Sequence, residues 1–129
     1  MADRSAENII APWLSLRDSN QALEFYKAAF GAVETHHTDT PDGVIARLSV
    51  GGAQFWISPA ESQAGGAAEA VGGGTIRIIL VVADPDTAFA RALSAGATEI
   101  FPVGEAHGWR LGRLVDPFGL HWEVGRELG

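Results

Sequence analysis

Two ionisable residues near the C-terminus, His121 and Glu123, have types and spacing suited to chemistry. They alternate with Leu120, Trp122 and Val124 in a run apolar enough to form a strand. Successive side chains of a strand point to opposite faces, so His121 and Glu123 share one face. Burying an unpaired carboxylate is prohibitively costly, so this face lies either in water or in a cavity with partners. In a cavity the pair would suit proton transfer near neutral pH; in water both would be ordinary surface residues.

A third charged residue, Arg77, lies in the apolar run from Thr75 to Val82. If the strand is buried, the guanidinium needs a carboxylate partner or a ligand, because desolvating it alone costs several kcal/mol. The repeat described below pairs its position with that of Glu123. We therefore expect an ion pair or a joint ligand site, with an Arg77 that points to water from a sheet edge as the alternative.

Aromatic and histidine side chains complete the candidate set. Trp56 and Trp109 suit the walls of an apolar cavity, where an indole ring binds planar or cationic ligands, although either is equally compatible with a core position. His107 lies in a predicted loop that would overhang such a cavity. His36 and His37 are adjacent in a predicted strand and face opposite ways, which argues against a joint metal chelate.

Composition limits the possible functions. The 129 residues are 47% hydrophobic and 19% charged, which is typical of one globular domain. A net charge of −7 argues against nucleic acid as a partner. There are no cysteines, so disulfide and thiolate chemistry are excluded. No apolar run is long enough to cross a membrane and no secretory signal is recognisable, so we expect a cytoplasmic protein.

The elements that would position these residues occur twice, each time as strand, helix and three strands. Asp18 or Ser19 and Asp84 are suited to cap the two helices, and Gly31 and Gly96 to end them. We predict an α+β fold of two tandem βαβββ modules, residues 1–58 and 75–129, joined by a Gly- and Ala-rich linker at 59–74. Their eight strands would form a cup-shaped mixed sheet with outer helices. A ferredoxin-like sandwich is the alternative, but it needs only four strands.

The two longest motifs resemble the vicinal oxygen chelate superfamily, and within it the PhnB-like glyoxalase and bleomycin-resistance proteins. The resemblance extends from Ile9 to Val124. It rests on Ala-Pro-Trp-Leu-Ser-Leu-Arg-Asp with Ala-Leu-Glu-Phe-Tyr-Lys-Ala-Ala-Phe-Gly-Ala, and on Gly-Trp-Arg-Leu-Gly-Arg-Leu-Val-Asp-Pro-Phe-Gly-Leu-His-Trp-Glu-Val. It implies paired βαβββ modules, usually in a homodimer. The fold hosts isomerases, dioxygenases, thiol transferases and drug-sequestering proteins, so resemblance alone does not choose among them.

The resemblance also implies four metal-ligand positions, one on the first and one on the last strand of each module. In this sequence they fall at Ala11, Trp56, Arg77 and Glu123, and only Glu123 can bind a metal. A catalytic divalent metal needs about three protein ligands, so we expect no metal and no other cofactor.

We therefore expect a homodimeric protein that binds a small organic molecule through Trp56, Arg77, His107, Trp109 and Glu123, with Glu123 and His121 as the catalytic candidates if a reaction occurs. The alternative is a metal-dependent lyase, isomerase or dioxygenase in which Glu123 and one further ligand, from His36, His37 or His107, hold Zn, Ni, Fe or Mn. A third possibility is an interaction module with a filled cup, which a cavity below about 300 Å³ would favour.

Overall fold

The computed structural model describes residues 10–60 and 77–129. Most of the predicted linker, from residue 61 onward, lies outside these ranges. Within them the chain forms two βαβββ modules, as predicted. The first module consists of β1 (Trp13–Leu16), α1 (Ser19–Phe30), β2 (Val33–Thr40), β3 (Gly43–Val50) and β4 (Ala53–Pro59). The second consists of β5 (Ile78–Val81), α2 (Pro85–Ala95), β6 (Thr98–Ala106), β7 (Trp109–Val115) and β8 (His121–Glu127).

Local sequence explains where the helices begin and end. The Asp18 carboxylate accepts a hydrogen bond from the Gln21 amide at 3.0 Å, and the Asp84 carboxylate caps α2 in the same way. Gly31 ends α1 in the left-handed conformation at φ 69°, which costs a glycine little. No helix in the described part of the chain is long and apolar enough to span a bilayer.

Each module forms its own four-stranded mixed sheet, with strand orders β1-β4-β3-β2 and β5-β8-β7-β6. The first strand of each module runs parallel to the last, and the other pairings are antiparallel. The strand at each outer position is an edge: β1 and β2 in the first sheet, β5 and β6 in the second. The eight predicted strands are all present, but they are divided between two sheets.

One hydrophobic core joins the two modules. Tyr26 of α1 packs between Phe55 of β4 and Trp122 of β8, with ring centroids 5.4 and 5.6 Å away, and Phe30 lies 4.7 Å from Trp122. The helix-covered face of each sheet therefore points into a shared interior. We call the opposite face of each sheet its open face. Within one chain the two open faces point away from this core, so they do not enclose a common hollow.

A buried carboxylate links the two modules by hydrogen bonds. Asp116, 3% exposed, accepts hydrogen bonds from the Tyr26 hydroxyl at 2.6 Å and the Trp122 indole at 2.9 Å. Its second oxygen accepts from the amides of Phe118 and Leu120 across the Asp-Pro-Phe-Gly turn. Burial raises the pKa of Asp116, while these four donors favour its ionised form. Burial likewise raises the pKa of Tyr26 well above its usual value.

Candidate ligand-binding site

The open face of the second sheet gathers most of the predicted site residues. Cross-strand register places Glu123 of β8 between Ile79 of β5 and Arg113 of β7, and Arg113 next to Phe101 of β6. Trp122 and Val124, the neighbours of Glu123 along β8, point into the core at 3% and 0% exposure. Strand alternation thus sets the direction of Glu123, as the sequence pattern indicated.

A pocket of about 380 Å³ lies on this open face. Its walls are mostly apolar, and Glu123 is the carboxylate among them. Trp109 and His107, both predicted from the sequence, belong to it through the β6–β7 turn, where His107 has φ 54°. The lining consists of Ile79, Gly104, Ala106, His107, Trp109, Leu111 and Glu123.

Arg77 lies at the same end of the second sheet as Glu123. Its Nε is 3.3 Å from Glu123 Oε2, with the two side chains 47% and 21% exposed. The predicted encounter of a guanidinium with this carboxylate is therefore present in the structure. Because both groups keep contact with water, the pair adds little to stability and both remain accessible to a ligand.

His121 is on the same face but contacts Arg113 rather than Glu123. Arg113 Nε donates a hydrogen bond to His121 Nδ1 at 3.1 Å. Burial and the neighbouring Arg113 lower the pKa of His121, which keeps the imidazole neutral and able to accept. The geometry gives no direct hydrogen bond for the His121 and Glu123 proton-transfer unit considered above.

Trp56 is the predicted site residue that lies elsewhere, on the open face of the first sheet. It stacks on Trp13 with centroids 5.3 Å apart and an interplanar angle of 16°. The Arg47 guanidinium lies 5.5 Å from its ring centroid, and the His36 ring is also 5.5 Å away. Trp56 is therefore part of an aromatic surface separate, within one chain, from the pocket that contains Trp109.

Arg113 was missed as a candidate from the sequence. The sequence pattern that could have identified Arg113 is a match between the two modules, in which Ala46-Arg47-Leu48 of β3 superposes on Gly112-Arg113-Leu114 of β7. Both arginines are in register with the residue at the module's last-strand position, Trp56 or Glu123.

The residues do not fit the divalent metal that the fold implies. No group of three His, Cys, Asp or Glu side chains is placed to hold an ion in residues 10–60 and 77–129. Glu123 is the single donor among the four implied positions, and the cationic Arg77 lies beside it. One carboxylate next to a guanidinium is a poor substitute for the three ligands that a catalytic metal requires.

Comparison with known proteins identifies the family of this chain. The model of the glyoxalase-like domain matches residues 13–125. An uncharacterized protein of Mycobacterium bovis is 35% identical over 131 residues, covering 96% of this chain and 86% of the relative.

Two solved structures show the same fold. The first is a glyoxalase/bleomycin resistance protein/dioxygenase family enzyme from Burkholderia phytofirmans, with a TM-score of 0.69 and 22% identity over 90% of this chain and 95% of that one. The second is TnmS3, an antibiotic binding protein from a Streptomyces species, with a TM-score of 0.71 and 15% identity over 95% and 98%. The chain therefore belongs to the glyoxalase-like domain family of the vicinal oxygen chelate superfamily.

Proposed function

We propose that this protein binds a small organic molecule in the pocket on the open face of the second sheet, without a divalent metal. The observation that supports this most directly is the pocket itself, about 380 Å³ with a lining of Ile79, Trp109 and Leu111 around one carboxylate. This volume exceeds the roughly 300 Å³ at the lower end of small-molecule sites. An apolar lining with few polar groups suits a planar, largely apolar ligand.

Similarity of fold adds support of a weaker kind. TnmS3 is an antibiotic binding protein that shares this fold, so the scaffold is compatible with binding alone. The pairing of Glu123 with Arg77 supports a metal-free site, since the carboxylate already has a cationic neighbour. Metal analysis of the purified protein tests this part. One tightly held divalent ion per chain that is lost in Glu123→Gln would contradict it and favour a metal-dependent enzyme.

We further propose that the protein is a homodimer in which the open faces are covered. Large apolar residues are exposed on all four edge strands, including Trp13 at 54% and Phe101 at 52%. Exposed edges and apolar patches of this kind are usually covered by a partner. Light scattering at micromolar concentration should give the mass of a dimer, and Trp13→Ser should shift it toward the monomer. A monomeric wild-type protein would contradict this proposal.

Binding is tested with a neutral planar probe, 2-naphthamide, by titration calorimetry. We expect Trp109→Ala to weaken binding about tenfold, because an aromatic contact in a pocket contributes about 1 kcal/mol beyond its buried area. Ile10→Ala is the control, since Ile10 is fully exposed outside every element and its removal should have no effect. Equal affinities for the wild-type protein and Trp109→Ala would place the ligand elsewhere.

A further inference from the structure

The open face of the second sheet contains a guanidinium group that the proposed site does not yet use, that of Arg113. Its Nε donates to His121 Nδ1 at 3.1 Å, but its two terminal nitrogens donate to no described residue. Its cross-strand neighbour Glu123 pairs instead with Arg77 at 3.3 Å. In residues 10–60 and 77–129, no carboxylate oxygen lies within 4 Å of the Arg113 guanidinium.

The position of Arg113 makes its guanidinium relevant to the pocket. Arg113 follows Leu111 by two residues on β7, so both side chains are on the open face, and it lies directly opposite Glu123. Leu111 and Glu123 both line the pocket. Arg113 therefore lies next to two lining residues of the pocket, Leu111 and Glu123, without being a lining residue itself.

The cationic groups beside the pocket favour an anionic ligand. Arg77 and Arg113 flank a single carboxylate, Glu123, and His121 adds no negative charge. Glu127 is the other carboxylate on this face of β8, at its far end opposite Trp109. The neighbourhood of Arg113 is thus locally cationic on a chain whose net charge is −7.

We infer that the ligand of this pocket is an organic carboxylate, with its apolar body against Trp109 and Leu111 and its carboxylate on the terminal nitrogens of Arg113. The planar fork of a guanidinium matches a carboxylate with two parallel hydrogen bonds. The His121 contact holds Nε and thereby fixes the direction of that fork. This inference rests on the proposed function and narrows it from small organic molecules in general to anionic ones.

A purely structural role for Arg113 predicts something different. Its guanidinium lies 5.9 Å from the Phe101 ring centroid, a cation–π contact that would help hold β6 against β7. In that case Arg113 would affect folding but would not discriminate between ligands by charge.

Three probes that share one ring system separate these roles: 2-naphthoate, neutral 2-naphthamide and 2-naphthylmethylammonium. In titration calorimetry on the full chain we expect the carboxylate to bind about tenfold tighter than the amide, and the ammonium to bind most weakly. Arg113→Gln should reduce the affinity for the carboxylate to that for the amide and leave the amide unchanged. Arg113→Lys, which keeps the charge without the fork, should give an intermediate affinity.

Arg126→Gln is the matched control. Arg126 is an exposed arginine on the adjacent strand β8, outside the pocket lining, and its substitution should leave all three affinities unchanged. Thermal melts of each variant identify a loss due to misfolding, which would lower the affinity for all probes together.

Two results would count against the inference. An ammonium probe that binds as tightly as the carboxylate, or an Arg113→Gln variant indistinguishable from Arg126→Gln, would overturn it. The proposed function would survive either result, provided that Trp109→Ala still weakens the probes. If none of the three probes binds the wild-type protein, both proposals fail.

Discussion

The two modules have the same backbone plan but different open faces. In each module, four residues in register form a row across the four strands of the sheet, and one of the four is an arginine on a central strand. In the first module they are Trp13, Trp56, Arg47 and His36; in the second they are Ile79, Glu123, Arg113 and Phe101. Stacked indoles occupy the first face, and an ion pair beside a pocket occupies the second. The two modules therefore share one backbone plan and differ in the residues on their open faces.

Arg47 and Arg113 show how the same residue acquires a different setting. Arg47 Nε donates to Thr35 Oγ1 at 2.8 Å and its guanidinium lies over Trp56. Arg113 has a histidine in place of the threonine and a carboxylate across from it in place of the indole. The difference indicates that chemical function, in this chain, is specified by a few open-face positions on an otherwise repeated scaffold.

Among the residues that differ between the modules, Asp116 should contribute most to the stability of the chain. Superposing Leu48 on Leu114 places Val50 at its position in the first module, so the buried carboxylate has no counterpart there. In Asp116→Asn, an amide NH₂ group would face hydrogen-bond donors. We expect a loss of about 3 kcal/mol in the free energy of unfolding, measured by urea denaturation.

Tyr26→Phe provides the control for that change. It removes one donor and leaves Asp116 otherwise paired, so we expect a smaller loss of about 2 kcal/mol. The two losses should not add in the double variant, because both substitutions remove the same hydrogen bond. Full additivity would show that Asp116 does not fasten α1 to the second module through this contact.

Ala46 of β3 and Gly112 of β7 are equivalent residues, and their substitution should have a smaller effect on stability. A Cβ at Gly112 would lie 2.9 Å from Phe89 of α2 and 2.9 Å from Val103 of β6. Gly112→Ala should therefore cost about 2 kcal/mol through overpacking. Ala46→Gly, the reciprocal change, should cost about 1 kcal/mol through lost packing and a freer unfolded chain. Both are measured by urea denaturation, and equal losses would show that the two helix–sheet contacts are equally tight.

The sequence predicted the fold well because its signals are local. Asp18, Gly31, Asp84 and Gly96 cap and end the helices, as expected. The first strand begins at Trp13, because the preceding Pro12 has no amide hydrogen to donate to a ladder.

The site was harder to predict because it depends on how the modules pack. Strand alternation identified the open face of Glu123, and the repeat brought Arg77 to it. Nothing local indicated that the helix-covered faces would meet, and this arrangement is what separates Trp56 from Trp109 within one chain. No local pattern indicates that Asp116 is buried, since its partner Tyr26 is 90 residues away.

The carboxylate on the open face should matter far less to stability than the one in the core. Glu123 and Arg77 form a partly exposed ion pair, and such pairs contribute at most about 1 kcal/mol. Glu123→Gln should therefore change the free energy of unfolding by less than that amount, in the same urea assay as Asp116→Asn. A loss comparable to that of Asp116→Asn would show that Glu123 is a structural residue and would weaken its assignment to a ligand site.

The smallest predicted effects are opposite responses to pH in the two modules. In the first module, the hydrogen bonds that His37 donates to the Glu34 and Asp39 carboxylates raise the pKa of His37. The stability that these bonds contribute is complete below the unfolded pKa near 6.5 and is lost as pH rises through the folded value. In the second module, Arg110 lowers the pKa of Asp86. The stability that this ion pair contributes is present above the unfolded pKa near 3.9 and is lost as pH falls.

Melting temperatures across pH test this pair of signs. The difference in melting temperature between the wild-type protein and His37→Gln should be largest in mild acid and should shrink as pH rises. The difference between the wild-type protein and Asp86→Asn should be largest near neutrality and should shrink in acid. Since both pairs are at the surface, added salt should shrink both differences. Differences that stay constant with pH would show that neither pair is maintained in solution.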